Sequence, residues 1–243
     1  MERLFMSVPL SIIVPAYNEE QCLPDTLQVL KQGMKDVSQR IELIVVDNNS
    51  DDRTAEIART EGATVVFEPE NQIARARNAG AREARGEWYL FVDADTLVPP
   101  ELLSNILDQT EKPDVMGGGA RLKFLDGAPR QARWGISVWN WISDTLHWAA
   151  GSVFWCRADL FEQVGGFNEA VYASEEIWLS RALKKAGKKN SLKFHVINHP
   201  RARTSARKFE EFSTFQLTAG FLMFLLAPWV IFSKRACRWY WYD

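Results

Sequence analysis

Cysteine is scarce in these 243 residues: Cys22, Cys156 and Cys237 are an odd number at wide spacings, with no CxxC pair among them. This excludes a disulfide framework and a thiolate metal centre, and it fits a reducing, cytoplasmic setting. An excess of one charge is also lacking, because 29 Lys and Arg face 31 Asp and Glu for a formal net charge of −2. Nothing global therefore points to nucleic acid as a partner. No uncharged apolar run reaches the about 20 residues of a membrane-spanning helix. The candidate, Leu217 to Phe232, is 16 residues long and is broken by Gly220 and Pro228. Met1 to Pro15 lacks the basic start and small-residue cleavage site of a leader and is expected to supply a first strand. No internal repeat or low-complexity linker divides the chain, so one α/β domain over 1–208 is expected, followed by an apolar, aromatic helical segment over 209–243.

What is present in the first hundred residues is alternation. Leu10 to Val14, Ile41 to Val46, Thr64 to Phe67 and Trp88 to Val92 read as strands, with helical patterns at Cys22 to Lys35, Thr54 to Glu61 and Ile73 to Ala84. Strands apolar on both faces and separated by helices predict a mostly parallel sheet flanked by helices. Ligands of such sheets collect outside the carboxyl ends of the strands. Three strand exits carry polar groups there: Pro15 to Glu19, Asp47 to Asp51, and Asp93 to Asp95. Beyond Pro113 the pattern loosens at Gly117 to Gly119. A Trp-rich helix is expected over Trp134 to Trp148, a strand over Ser152 to Cys156, and helices over Ala158 to Val164 and Glu175 to Ala186.

Asp93 and Asp95 are two residues apart at the end of a buried strand, so an extended backbone would send both carboxylates to one side. Oxygen ligands converging in this way suit a hard divalent cation bridging a diphosphate. The bland reading of such a pair is a cap or turn before the helix near Pro100. The Asp47 to Asp52 cluster has a similar reading as a cap for Thr54 to Glu61. Ser174, Glu175 and Glu176 open a helix, where Ser174 with Glu176 and its neighbours would cap the helix and complement its dipole. A carboxylate there can also serve as a general base that deprotonates an acceptor hydroxyl.

Five ordered segments, SIIVPAYNEE, ELIVVDNNSDDRT, ARARNAGAREARGEWYLFVDADT, AAGSVFWCRADLFEQVGGFNEA and SEEIWLSRALKKAG, together resemble glycosyltransferase family 2, the inverting enzymes with the GT-A fold. The resemblance implies a nucleotide-sugar donor, a sugar or lipid-linked hydroxyl acceptor, and Mn²⁺ or Mg²⁺ as cofactor. Position by position, it implies that Pro15, Tyr17 and Glu19 form the first nucleotide-contacting loop and that Asp47 contacts the base or ribose. Arg77 and Asn78 match the ArgAsn element beside the nucleotide. Asp93 and Asp95 match the acidic pair, with Asp95 the chief metal ligand. Glu176 matches the catalytic base, with Glu175 in reserve, and Arg203 and Arg207 are expected to reach the diphosphate, with His199 nearby.

The sequence departs from the family pattern in three places. The loop Glu70 to Ile73 lacks the usual glycine, Glu176 stands where Asp is common, and Trp178 occupies a position that is often acidic. Two other classes compete. A nucleotidyltransferase would need a Gly-rich, basic phosphate loop after the first strand, and Pro15 to Glu20 has none. A non-catalytic sugar-nucleotide-binding protein would tolerate loss of Glu176. Lys184 to Lys208 holds nine Lys or Arg and no acid, a solvated face or an anion-binding one. From Arg201 to Asp243 seven bases oppose three acids, a balance of 7 − 3 = +4. With Trp229, Trp239, Tyr240, Trp241 and Tyr242 alongside, this predicts peripheral contact with the cytoplasmic membrane face or a homo-oligomer contact, against the alternative of a terminal helix packed back over the sheet.

Overall fold

A computed structural model describes residues 8–38, 40–125, 128, 130–149 and 152–207; the apolar segment 209–243 lies outside these residues. The expected alternation is present at the start of the chain. β1 (Val8–Ala16), α1 (Leu23–Lys35), β2 (Ile41–Asp47), α2 (Thr54–Thr60), β3 (Thr64–Phe67), α3 (Ile73–Glu83) and β4 (Gly86–Val92) follow in order. Then come β5 (Thr96–Leu97), α4 (Pro100–Thr110), β6 (Val115–Phe124), α5 (Arg130–Leu146), β7 (Val153–Arg157), α6 (Ala158–Gln163), α7 (Glu175–Gly187) and β8 (Lys193–Thr204). The eight strands form one sheet in the order β3-β2-β1-β4-β7-β6-β8-β5. From β3 to β4 every pairing is parallel. The second half is mixed, with β7 antiparallel to β4 and β6, β8 parallel to β6, and β5 antiparallel to β8. This is the α/β, GT-A-like architecture expected.

Alternation along the strands divides the core into two faces. On one face, Leu10, Ile12, Val14, Leu90 and Val92 pack with α1 and α4, and Ile136 and Trp139 of α5 lie against them. On the other, Ile13, Val46, Phe91 and Phe154 pack with the alanines of α3 and with Leu179 and Leu183 of α7. The second face is rich in rings: Phe167 stands edge-on to Phe91 with centroids 4.9 Å apart, which pins the turn that leads toward α7.

Two strands were not legible. Gly117 to Gly119, where the pattern loosened, lie inside β6: a Cβ on Gly118 would come within 1.9 Å of the His195 carbonyl oxygen and 2.5 Å of the Trp155 ring. Glycine lets these neighbours close over the strand. Residues 193–204 of the basic stretch form β8, which lies inside the sheet between β6 and β5.

Candidate active site

The parallel register of β1 and β2 sets Ala16 beside Asp47, so their exits emerge together. The two loops then tie to each other. Asn48 N donates to Ala16 O at 2.8 Å, Asp51 N to Asn18 Oδ1 at 2.8 Å, and Glu19 N to Thr54 Oγ1 at 2.8 Å. Asn18 and Asn49 take left-handed backbone, with φ 52° and 66°, which asparagine tolerates better than most residues. Pro15 is held in the β1–β2 ladder, and Tyr17 is partly exposed at the rim. Asp47 is buried and its Oδ1 accepts Ser50 N at 3.0 Å, so it shapes the loop it opens. At the entry to α2 the N-cap residue, Arg53, makes no side-chain cap, and Asp52 just before it accepts Thr54 N on its Oδ1 at 2.9 Å.

The acidic pair sits on a turn and not on an extended strand. β4 ends at Val92, and Thr96 N donates to Asp93 O at 3.0 Å. The turn buries Ala94 against α1, where Thr26 Oγ1 donates to Ala94 O at 2.8 Å. Asp93 and Asp95 are both partly exposed on either side of it.

The buried Arg77 of α3 bridges the pair to α7. Its Nη2 donates to Asp93 Oδ1 at 2.9 Å and its Nη1 to Glu175 Oε1 at 2.5 Å, while its guanidinium lies 5.2 Å above the Phe167 ring. Burial opposes the charge of Arg77, but the carboxylates of Asp93, Glu175 and Glu176 outweigh it and raise its pKa. Glu175 is thereby committed as the partner of Arg77. Glu176 stays partly exposed, and burial, then the charge of Glu175, push its carboxyl up to about 8 against the lowering influence of Arg77. A carboxyl raised toward neutrality suits a general base. The expected cap does not form: Ser174 has φ 62° and makes no side-chain cap. The strained backbone instead sits directly before the two glutamates.

The remaining candidates separate. Asn78 is engaged by the turn before α7, with Nδ2 donating to Phe167 O at 2.9 Å and Glu169 Oε1 at 2.9 Å, and Oδ1 accepting Phe167 N at 2.9 Å. The role visible here is to hold that turn. Arg207 Nη2 donates to Glu19 Oε1 at 2.8 Å, and Ser205 N donates to Asp95 O at 3.2 Å, so Arg207 lies beside the first loop and the acidic turn. Arg203 lies in the sheet opposite Leu97, two residues after Asp95, and opposite Lys123. His199 is exposed on β8, and Trp178 is 41% exposed. Sequence reasoning missed Gln72, in the loop singled out for its missing glycine. It is buried, its Nε2 donates to Glu169 O at 2.8 Å and Val171 O at 3.0 Å, and its backbone N donates to Asn48 Oδ1 at 3.0 Å. The glutamine therefore joins the Asp47 loop to the segment that leads into α7.

Among the described residues, no three His, Cys, Asp or Glu side chains gather to hold a metal. Asp95 and Asp93 are two hard oxygen donors, with Asp93 already shared with Arg77. That set fits a cation that completes its coordination with phosphate and water, and does not fit a closed protein cage.

The sequence model described as "Glycosyl transferase family 2" matches residues 11–165. An uncharacterized glycosyltransferase of Haemophilus influenzae is 38% identical over 105 residues, covering 42% of this chain and 35% of that protein. The undecaprenyl-phosphate 4-deoxy-4-formamido-L-arabinose transferase of Pseudomonas fluorescens is 32% identical over 129 residues, covering 50% of this chain and 38% of that protein. The chain thus spans little more than a third of these relatives. Among solved structures, the mannosyltransferase PcManGT of Pyrobaculum calidifontis, in complex with GDP-Man and Mn²⁺, superposes with TM-score 0.60 at 20% identity, covering 83% of this chain and 58% of that one. TarS 1-349 of S. aureus, in complex with UDP-GlcNAc, gives TM-score 0.63 at 19% identity, covering 91% of this chain and 66% of that one. At these identities the structural likeness speaks to fold alone.

Proposed function

The chain belongs to glycosyl transferase family 2, and from that premise we propose that it moves a sugar from a nucleoside-diphosphate sugar to an acceptor hydroxyl by a single inverting displacement. The observation that carries this reading is the Arg77 bridge. One buried guanidinium joins Asp93 at the donor side to Glu175 on the helix whose next residue, Glu176, has its carboxyl raised toward neutral pH. Pro15, Tyr17, Glu19 and Asp47 frame the nucleotide. Asp95, with Asp93, would hold a divalent cation, which when bound neutralises charge on the departing diphosphate. Mn²⁺ accompanies GDP-Man in the PcManGT complex, which favours a cation of this kind here. Arg207 leaves Glu19 for the diphosphate, and Glu176 accepts the proton of the attacking hydroxyl.

The loop after β1, Pro15 to Glu20, has no glycine and no basic residue, which disfavours nucleotidyl transfer, since that chemistry calls for a Gly-rich, basic loop cradling the triphosphate. A lipid-linked acceptor is supported by the name of the Pseudomonas relative. No helix of the described residues is long and apolar enough to cross a membrane. Peripheral contact would fall to the segment 209–243 and to α5, whose Trp134 and Trp141 are 73% and 68% exposed. The test is release of UDP or GDP from a panel of sugar nucleotides with and without EDTA. Chelator-sensitive release of nucleoside diphosphate is expected; pyrophosphate release, or no turnover of any donor, would refute the reading.

A further inference from the structure

The loop that lacks the usual glycine ends at Gln72, and the backbone there shows that none is needed. With φ −162° and ψ 124°, Gln72 is extended, a conformation open to any residue. What a glycine could not supply is the side chain. Gln72 is 3% exposed, and its Nε2 meets two carbonyls of one segment, Glu169 O at 2.8 Å and Val171 O at 3.0 Å, one for each hydrogen of the carboxamide. The main chain of the same residue serves another element. Gln72 N donates to Asn48 Oδ1 at 3.0 Å, and Asn48 Nδ2 donates to Glu68 O and Glu70 O at 3.1 and 2.7 Å. Asn48 follows Asp47, so the backbone of Gln72 belongs to the nucleotide loop and its carboxamide to the approach to α7.

That approach is pinned at its two ends. Asn78 and the stacked Phe167 ring hold the start, and Arg77 holds Glu175 at the first turn of α7. Between them the chain turns at Asn168, whose Oδ1 accepts Ala170 N at 2.9 Å, and reaches Ser174 in left-handed backbone. A non-glycine residue keeps such a conformation only where its surroundings fix it. Gln72 fixes the carbonyls on either side of Ala170. Arg75 adds a partly exposed ion pair to Glu169, a contact that water weakens. Loss of the carboxamide would therefore leave both ends anchored and loosen the stretch that sets Ser174 and, two residues on, Glu176. A reacting group displaced by about 1 Å loses about 10²-fold in rate without any unfolding.

We infer that Gln72 is a positioning residue, whose carboxamide holds residues 169–173 so that Ser174 presents Glu176 to the attacking hydroxyl, while its backbone N–H steadies the nucleotide loop. The inference rests on the reading of Glu176 as the base. It divides one residue between two duties, and a side-chain substitution removes one of them and spares the other.

The full chain, Gln72→Met, Glu176→Gln and the double variant would be compared in release of nucleoside diphosphate from UDP-glucose, UDP-GlcNAc and GDP-mannose with Mn²⁺, water standing in for the acceptor. Amide hydrogen exchange would be followed in parallel. Gln72→Met keeps the length of the side chain and removes its donors, so kcat should fall about 10-fold or more while donor KM holds within about twofold, because the bond to Asn48 is made by the backbone. In the Glu176→Gln background the same change should cost less than about twofold, since it acts through Glu176. Exchange over residues 169–174 should rise about 10-fold or more, with β1 to β4 unchanged. Losses that simply multiply in the double variant, a donor KM that rises as far as kcat falls, or unchanged exchange would each overturn the inference. If the parent turns over none of these donors, or Glu176→Gln costs nothing, the transferase or base reading fails on its own account, and exchange still decides whether Gln72 holds the segment. Should Gln72→Met fail to fold, Gln72→Gly restores the glycine usual in the family on a backbone that accepts it, and parental kcat in that variant also overturns the inference.

Discussion

The two halves of the sheet treat their polar groups in opposite ways. From β1 to β4 the strand exits are tied to one another and to α7, through Asn18, Asn48, Gln72, Arg77 and Asn78, and Arg77 is matched by Asp93 and Glu175. From β5 to β8 the strands are mixed in direction, and Lys123, Arg201 and Arg203 stand without acids among the described residues. A site that must recognise the same nucleotide diphosphate at every turnover gains from preorganised loops. Substitutions among the tied groups of the first half should therefore cost the most, in chemistry or in fold.

The largest loss is expected at the acidic turn. Asp95→Ala leaves the buried Ala94 and its bond from Thr26 in place, so the fold should persist while metal-stimulated turnover falls by about 10³-fold. Retention of near-parental turnover with Mn²⁺ or Mg²⁺ would remove Asp95 from the metal site. Glu176→Gln keeps shape and removes a proton acceptor, so kcat should fall by about 10²-fold with donor affinity little changed.

The pH dependence of Glu176 follows from its shift. Its carboxyl is raised from 4.5 to about 8, so in the free enzyme the competent, ionised form accumulates as pH rises, and kcat/KM should climb through the region near 8. The sign for stability is opposite. Between those two values the folded protein holds the proton more tightly than the unfolded chain, so this group makes stability fall as pH rises from 4.5 to about 8. Glu176→Gln should flatten both slopes. If the rate profile instead breaks in the ordinary carboxylate range, the base is another group.

Stability offers the next contrast. Arg77 is 3% exposed between two carboxylates, and Arg77→Met would strand buried negative charge, so a loss of about 3–5 kcal/mol is expected in denaturant unfolding. Arg207 is 31% exposed beside a Glu19 that is 13% exposed, and Arg207→Met should cost less than the Arg77 change, about 1–2 kcal/mol. Equal costs would show that the Arg77 bridge is not the structural link between donor turn and base helix.

The same division governs what could be read in advance. β1 to β4 were legible because strands buried on both faces are continuous apolar runs. β6 was not, because close approach of β8 and Trp155 demands glycine where the pattern seeks side chains. β8 alternates weakly, and its partner β6 is distant in the chain, so KFHVINHPRART reads as a basic surface. The identities of Asp93, Asp95 and Glu176 were visible as types at strand and helix ends. The turn at Ala94, and the commitment of Glu175 to Arg77 across a separation of 98 residues, were not, since no local pattern encodes them. Arg203 and Arg207 looked equivalent in sequence; the fold puts the first in β8 opposite Leu97 and the second beside Glu19.

The smallest effect on fold and chemistry should come from the outer face of α5. Trp134 and Trp141 are seven residues apart, which returns to nearly the same side of a helix, and they are 73% and 68% exposed. The inner face is fixed elsewhere, by Asn140, which exchanges bonds with the Leu122 backbone at 3.0 and 2.9 Å, and by Ser143. Trp134→Ser/Trp141→Ser should therefore change stability by no more than about 1 kcal/mol in total and leave donor hydrolysis intact. What should change is sedimentation with anionic liposomes, since exposed indoles beside bases favour the headgroup region. Unchanged sedimentation would leave any membrane contact to residues 209–243, and a loss of several kcal/mol would mean that this face is covered within the folded chain.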